Sequence, residues 1–204
     1  MKLLLFSDLH CDSAAARSLA ERAPAYDVLI GAGDFGTMRT GLGPLIAALS
    51  AGGPPAVLVP GNAESVEELR EACQDWPEAH VLHGNGVTLF GREFYGLGGG
   101  IPVTPFGDWS YDFTEEQAAE MLLACPAGCV LVTHSPPQGA VDETSRGENL
   151  GSTAIREAVE RTQPSPVVCG HIHGCWGRLD YIGNSPVLNA GPQGVEWRLG
   201  EPTA

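Results

Sequence analysis

Five apolar runs along this chain end in the same kind of residue, and that recurrence limits the possible folds more than any other feature. Residues 2–6 run into Ser7-Asp8-Leu9-His10. Residues 26–30 lead to Gly33-Asp34-Phe35-Gly36, and residues 56–59 to Gly61-Asn62-Ala63-Glu64. Residues 129–132 end at Thr133-His134, and residues 167–169 at Gly170-His171-Ile172-His173. Short apolar runs bounded by turn formers read as buried strands. Ligands of open α/β sheets bind outside the carboxyl ends of the strands. Five segments distant in sequence are therefore expected to meet at one place, with glycines 33, 36, 61 and 170 in tight turns around it.

The segments between these runs predict the layers. Residues 13–23 are alanine-rich and helix-prone, with Pro24 ending the helix. Residues 42–51 suggest a short helix, and residues 64–76 an amphipathic helix fronted by acid. Strands alternating with helices imply parallel strands with helices outside. Residues 81–90 and 93–97 read as strands around a Gly91-Arg92 hairpin. A loop rich in Gly, Pro and aromatics follows. Residues 114–124 return to helix behind a Thr114-x-x-Gln117 capping box, and residues 152–161 form a helix with Ser152 as N-cap. Short strands at 178–182, 187–189 and 195–199 close the chain. Two strand sets, each with its own helices, predict an α/β four-layer αββα sandwich of two packed β-sheets flanked by helices. With 204 residues and no linker or repeat, one domain over 1–204 is expected.

The residue types at the strand ends are chemically coherent. Imidazole with carboxylate suits Zn, Mn, Fe or Ni rather than Ca or Mg alone. Asp8, His10, Asp34, Asn62, His134, His171 and His173 are more ligands than one ion needs, whereas two ions roughly 3.5–4 Å apart and bridged by one carboxylate would use them all. Each residue alone has a plainer reading. Asp34 and Asn62 could be turn formers, Glu64 fronts a helix, and a lone histidine is usually structural. Four of the six histidines fall in the pattern; His80 and His83 do not.

The ordered string D-x-H, G-D, G-N-x-E, H and G-H-x-H, spanning Asp8 to His173, resembles the calcineurin-like metallophosphoesterase superfamily. The stretch from Thr133-His134-Ser135-Pro136-Pro137 to Cys169-Gly170-His171 resembles small prokaryotic predicted phosphoesterases more narrowly. The resemblance implies that Asp8, His10 and His173 hold a first metal, that Asn62, His134 and His171 hold a second, and that Asp34 bridges them. It implies catalytic roles for Asp34, Asn62 and His134, and attack on phosphorus by a hydroxide between two divalent transition-metal ions, Mn2+ foremost, with Fe, Zn or Ni as other candidates. The third block departs from the commonest family pattern, Gly-Asn-His-Asp/Glu. The family histidine is expected to stabilise the transition state and protonate the leaving group, and Ala63 can do neither. The departure favours small phosphodiesters or activated esters over alkyl monoesters. It also supports an alternative, a non-catalytic protein-interaction scaffold on the same fold.

Charge narrows the partners. Eleven basic against 25 acidic residues give a formal net charge of −14, and Lys2 is the sole lysine. Such a surface repels nucleic-acid backbones and anionic membranes, which argues against a nuclease. A small phosphate-ester substrate is the expected partner. The apolar start is too short for a signal sequence, and no run reaches the roughly 18 apolar residues of a membrane span, so a cytoplasmic protein with reduced cysteines is expected. Phe106, Trp109 and Tyr111 are either core aromatics or a wall of the substrate pocket, and Asp108 and Asp112 beside them would repel a highly charged substrate. The Gly151-Ser152 helix start, with Arg146 or Arg156, could receive a phosphate; a plain N-cap is the simpler reading.

Overall fold

The computed structural model describes residues 1–51 and 53–200. Strand β1 (Lys2–Phe6) pairs in parallel with β2 (Val28–Ala32), which pairs with β3 (Ala56–Val59), which pairs with β4 (Ala79–Val81). The second sheet starts with the hairpin β5 (Asn85–Leu89) and β6 (Arg92–Leu97). It continues in parallel through β7 (Val130–Thr133), β8 (Val167–Cys169) and β10 (Ser185–Asn189), with β9 (Leu179–Ile182) antiparallel on its far edge. The chain then returns to the first sheet as β11 (Val195–Arg198), antiparallel to β1 with Leu3 opposite Trp197.

The side-chain alternation of β1 explains the layering. Leu3 and Leu5 face the second sheet, where they join Val57, Val59, Phe94, Val132 and Val168 in the inter-sheet core. Leu4 and Phe6 face outward, into a core shared with helices α1 (Ser13–Arg22), α2 (Leu42–Leu49) and α3 (Val66–Ala72). Helices α4 (Glu115–Leu122) and α5 (Thr153–Thr162) cover the other outer face, packing Leu122, Ile155 and Val159 on Leu97, Leu131 and Val167. Strands buried on both faces need continuous apolar runs, and these strands have them. The result is the expected four-layer αββα sandwich. Among the described residues no helix is long and apolar enough to cross a membrane, and all six cysteines are free.

Two expected elements come out differently. The 81–90 run is not one strand. It breaks after β4, crosses from the first sheet to the second, and resumes as β5. Leu82 is buried between the sheets at the crossing, so an apolar residue there serves the core without extending a strand. The helix expected over 64–76 is shorter at both ends, running over Val66–Ala72 with Ser65 rather than Glu64 at its start. The Ser65 hydroxyl accepts from Glu68 N–H at 3.3 Å and the Glu68 carboxylate accepts from Ser65 N–H at 2.8 Å, a closed capping box. Glu64 is thereby freed to point elsewhere. The Thr114–Gln117 box forms as expected at the start of α4.

Candidate metal centre

The carboxyl ends of β1, β2, β3, β7 and β8 turn into loops that lace together. Asp8 N–H donates to Gly33 O at 2.9 Å, His10 N–H to Asp34 O at 2.9 Å, and Gly170 N–H to His134 O at 2.9 Å. Asp8, His10, Asp34 and His171 all take positive φ, between 43° and 66°. This conformation is disfavoured for non-glycine residues and gathers where structure over-determines the backbone. A Cβ on Gly33 would lie 2.6 Å from Gly61, which explains the glycine at that crossing. Glu64 ties the same loops from below. Its buried carboxylate accepts from Gly61 N–H at 2.8 Å, Gly36 N–H at 2.9 Å and Phe35 N–H at 3.3 Å. Burial and the adjacent Asp34 carboxylate push Glu64 up to about 7, against the pull of the two glycine N–H groups.

All seven residues expected from the sequence come together above these loops. Asp8, His10 and His173 bring donor atoms within 4.8 Å of one another, and so do Asp34, His134 and His171. His10 Nε2 faces His173 Nε2 at 3.2 Å. His134 Nε2 faces both His171 Nδ1 and Asn62 Oδ1 at 3.2 Å. Asp34 lies between the two groups, with Oδ2 3.5 Å from His10 Nε2 and Oδ1 3.4 Å from His134 Nε2. Burial pushes the Asp34 carboxyl up, but His134 and His10 hold it below the ordinary carboxylate range. Burial works against a charged His134, yet the Asp34 carboxylate raises it to about 9. His171 is driven down to about 3 by burial and then by His134.

The residues around these groups orient them. His134 Nδ1–H donates to Ala32 O at 2.8 Å, which leaves Nε2 as the atom facing the cluster. Asp8 accepts from Ser7 Oγ at 2.6 Å, from Trp176 Nε1 at 3.0 Å and from His171 N–H at 3.0 Å. Asn62 Nδ2 donates to Ser110 Oγ at 3.1 Å. Imidazole nitrogens, carboxylate oxygens and an amide oxygen thus converge in a mostly buried place, with Asp8, Asp34, Asn62 and His134 hydrogen-bonded outward. That is the donor set and outer support a divalent transition-metal ion requires. Ser7, Trp176 and Ser110 were not anticipated from the sequence. Trp176 stands three residues past His173, where the 3-10 turn His173–Cys175 brings the chain back to Asp8.

A cavity of about 420 Å³ opens over the cluster. Its floor includes His10, Asp34, Asn62, Ala63, His171 and His173, and its walls include Met38, Phe106, Trp109, Leu150 and Ile172. None of the lining residues is Lys or Arg. The Phe106 and Trp109 rings stack with centroids 5.6 Å apart. Tyr111 turns away and packs edge-on against Phe113. Asp112 bonds Thr104 and Ser110 within its own loop and does not line the cavity. His83 accepts from Gly98 N–H at 3.2 Å and packs on Phe113, a structural role. The α5 start cannot double as a phosphate site. Glu115 already occupies it, accepting from Ser152 Oγ at 2.7 Å, Thr153 N–H at 3.0 Å and Ala154 N–H at 2.9 Å. Arg156 is engaged with Glu160 and Gln138 O instead.

Comparison with known proteins bears on the family and the fold. The family model described as a calcineurin-like phosphoesterase superfamily domain matches residues 1–203. Among solved structures, TT1561 of Thermus thermophilus superposes with a TM-score of 0.77 at 18% identity, covering 94% of this chain and 90% of that one. The phosphopantetheinyl hydrolase of Mycobacterium tuberculosis gives 0.68 at 18% identity, covering 93% and 88%. A purple acid phosphatase from yellow lupin seeds gives 0.56 at 12% identity, covering 95% of this chain and 44% of its own. At these identities the likeness is one of fold. Two curated UPF0046 proteins of Caenorhabditis elegans are 37% identical over 107 residues and 34% identical over 103 residues, or 52% and 48% of this chain. Those matches span only 33% and 25% of the relatives' own lengths.

Proposed function

The chain belongs to the calcineurin-like phosphoesterase superfamily, and we propose that within it this protein hydrolyses small phosphodiesters with two divalent transition-metal ions. The observation that carries the reading is the pair of donor groups hinged on one carboxylate, Asp34. Asp8, His10 and His173 would hold one ion, Asn62, His134 and His171 the other, with Asp34 shared. The ions would supply Lewis-acid activation of water and of the phosphoryl oxygens.

The remaining chemistry belongs to the chain. The loops hold the donors rigidly and leave the cavity as the way in for an ester. Ala63 stands at the floor, its N–H donating to Asp34 Oδ1 at 2.8 Å and its carbonyl accepting from Arg39 N–H at 2.8 Å, and its methyl side chain has no proton to supply to a departing alkoxide. Proton donation of that kind typically contributes about 10²–10⁴-fold. Its absence penalises poor leaving groups most. The lack of Lys or Arg in the cavity lining disfavours a monoester dianion relative to a singly charged diester. The apolar walls suit a flat or hydrophobic ester group.

Ala63 also favours a second reading, a scaffold that has given up catalysis. The retained donor set and the open cavity above it weigh against that. Hydrolysis of an aryl phosphodiester and the matching aryl monoester by metal-stripped protein, before and after adding Mn2+, separates the two. Metal-dependent turnover that prefers the diester is expected. No turnover of either ester by the metal-loaded protein would favour the scaffold.

A further inference from the structure

The loop between β6 and α4 carries a hydrogen-bond chain whose polarity bears on Asn62. The loop is pinned to the third strand end by Gly99 N–H donating to Pro60 O at 3.0 Å and Tyr111 N–H donating to Asn62 O at 2.9 Å. It folds back on itself through Gly100 N–H to Tyr111 O and Phe113 N–H to Gly100 O, both at 2.9 Å. A Cβ on Gly100 would collide with Asp112 Oδ1, so the close approach needs glycine there. Inside this fold-back, Asp112 Oδ2 accepts from Thr104 N–H at 2.9 Å and from Thr104 Oγ1 at 2.7 Å, and Asp112 Oδ1 accepts from Ser110 Oγ at 2.8 Å.

Counting protons gives the chain a direction. An ionised carboxylate only accepts, and each hydroxyl has one proton to give. Thr104 Oγ1 and Ser110 Oγ also lie 3.0 Å apart, but the carboxylate is the stronger acceptor, so Thr104 gives its proton to Asp112 Oδ2 and Ser110 gives its proton to Asp112 Oδ1. Ser110 therefore presents lone pairs to Asn62, 3.1 Å away, and only the NH₂ end of the amide can answer them. The amide oxygen is thereby turned toward His134 Nε2, 3.2 Å away. The opposite amide orientation would set oxygen against oxygen at Ser110 and aim N–H protons into the cluster, where an N–H cannot bind a cation.

We propose that Ser110, polarised by Asp112, is a positioning residue that fixes the Asn62 amide with its oxygen facing the His134–His171 side of the cluster. This rests on the reading of that side as a metal site. It assigns a role to a loop residue outside all five strand-end blocks. Outer partners of this kind typically change metal affinity by about 10–100-fold when removed.

The test is Mn2+ binding by the metal-stripped full chain, followed by calorimetry and by electron paramagnetic resonance, with thermal midpoints of the metal-free proteins measured alongside. The wild type is expected to take up two ions. Ser110→Ala should weaken one of the two sites by about 10–100-fold, leave the other unchanged and leave the metal-free midpoint in place. Ser110→Thr, which keeps the hydroxyl, should restore the weakened site. Asp112→Asn should weaken the same site at least as much, because an amide NH₂ can donate to Ser110 and reverse the chain. Two sites of wild-type affinity in Ser110→Ala would overturn the relay alone. Weakening of both sites together with a lowered metal-free midpoint would also overturn it, by showing that Ser110 merely holds the loop. A wild type that binds fewer than two ions would overturn the metal reading itself, and the relay with it.

Discussion

Ala63 takes the position at which the family resemblance implies a proton-donating histidine, and it is 2% exposed at the cavity floor, with its N–H on Asp34. The substitution Ala63→His places an imidazole at that point. It should raise turnover of esters with poor leaving groups by about 10²-fold or more and change activated aryl esters little. The slope of log kcat/KM against leaving-group pKa measures this, and an unchanged slope would refute the account of Ala63. At this scale the sequence was informative wherever a residue closes an apolar run. Asp8, Asp34, Asn62, His134, His171 and His173 could be read because strand ends in a parallel sheet converge by topology. The partners behind them could not. Trp176 reaches Asp8 across 168 positions and Ser110 reaches Asn62 across 48, and neither contact leaves a period or a spacing in the chain.

The elements were legible to the extent that burial repeats along them. β1, β3 and β8 occupy their expected positions because both faces are buried and the run is apolar throughout. The crossing at Leu82 was hidden because a residue buried between sheets looks the same as one inside a strand. Glu64 stands directly before the N-cap of α3, where an acid ordinarily complements the helix dipole, but its carboxylate turns to hold the loops after β2 and β3 together. Glu64→Ala leaves buried N–H groups of Gly36 and Gly61 without acceptors. The expected cost is at least about 2 kcal/mol, or a fall of roughly 4–8 °C in Tm for a chain of this size. Thermal unfolding of the metal-free variant tests this, and a Tm within about 1 °C of wild type, well short of that fall, would contradict the tying role.

The whole molecule brings the two sheets to bear on one site. The first sheet's loops supply Asp8, His10, Asp34 and Asn62, and the second sheet's loops supply His134, His171 and His173. Each donor group draws from both sheets, so the close-packed core between them, from Leu5 to Phe94 and Val168, sets the donor distances. A shift of the sheets by a fraction of an ångström would open both groups at once, and close packing resists it. The net charge of −14 and the cation-free cavity lining are the features of the whole molecule that support the proposed substrate, a small and singly charged ester. A site hinged on one shared carboxylate requires two ions for turnover. Metal-stripped protein, held well above the dissociation constants, is titrated with Mn2+ while hydrolysis of an aryl phosphodiester is followed. Turnover should be absent without metal and rise to a plateau that breaks at two equivalents per chain. Full turnover without metal, or a plateau reached at one equivalent, would contradict it.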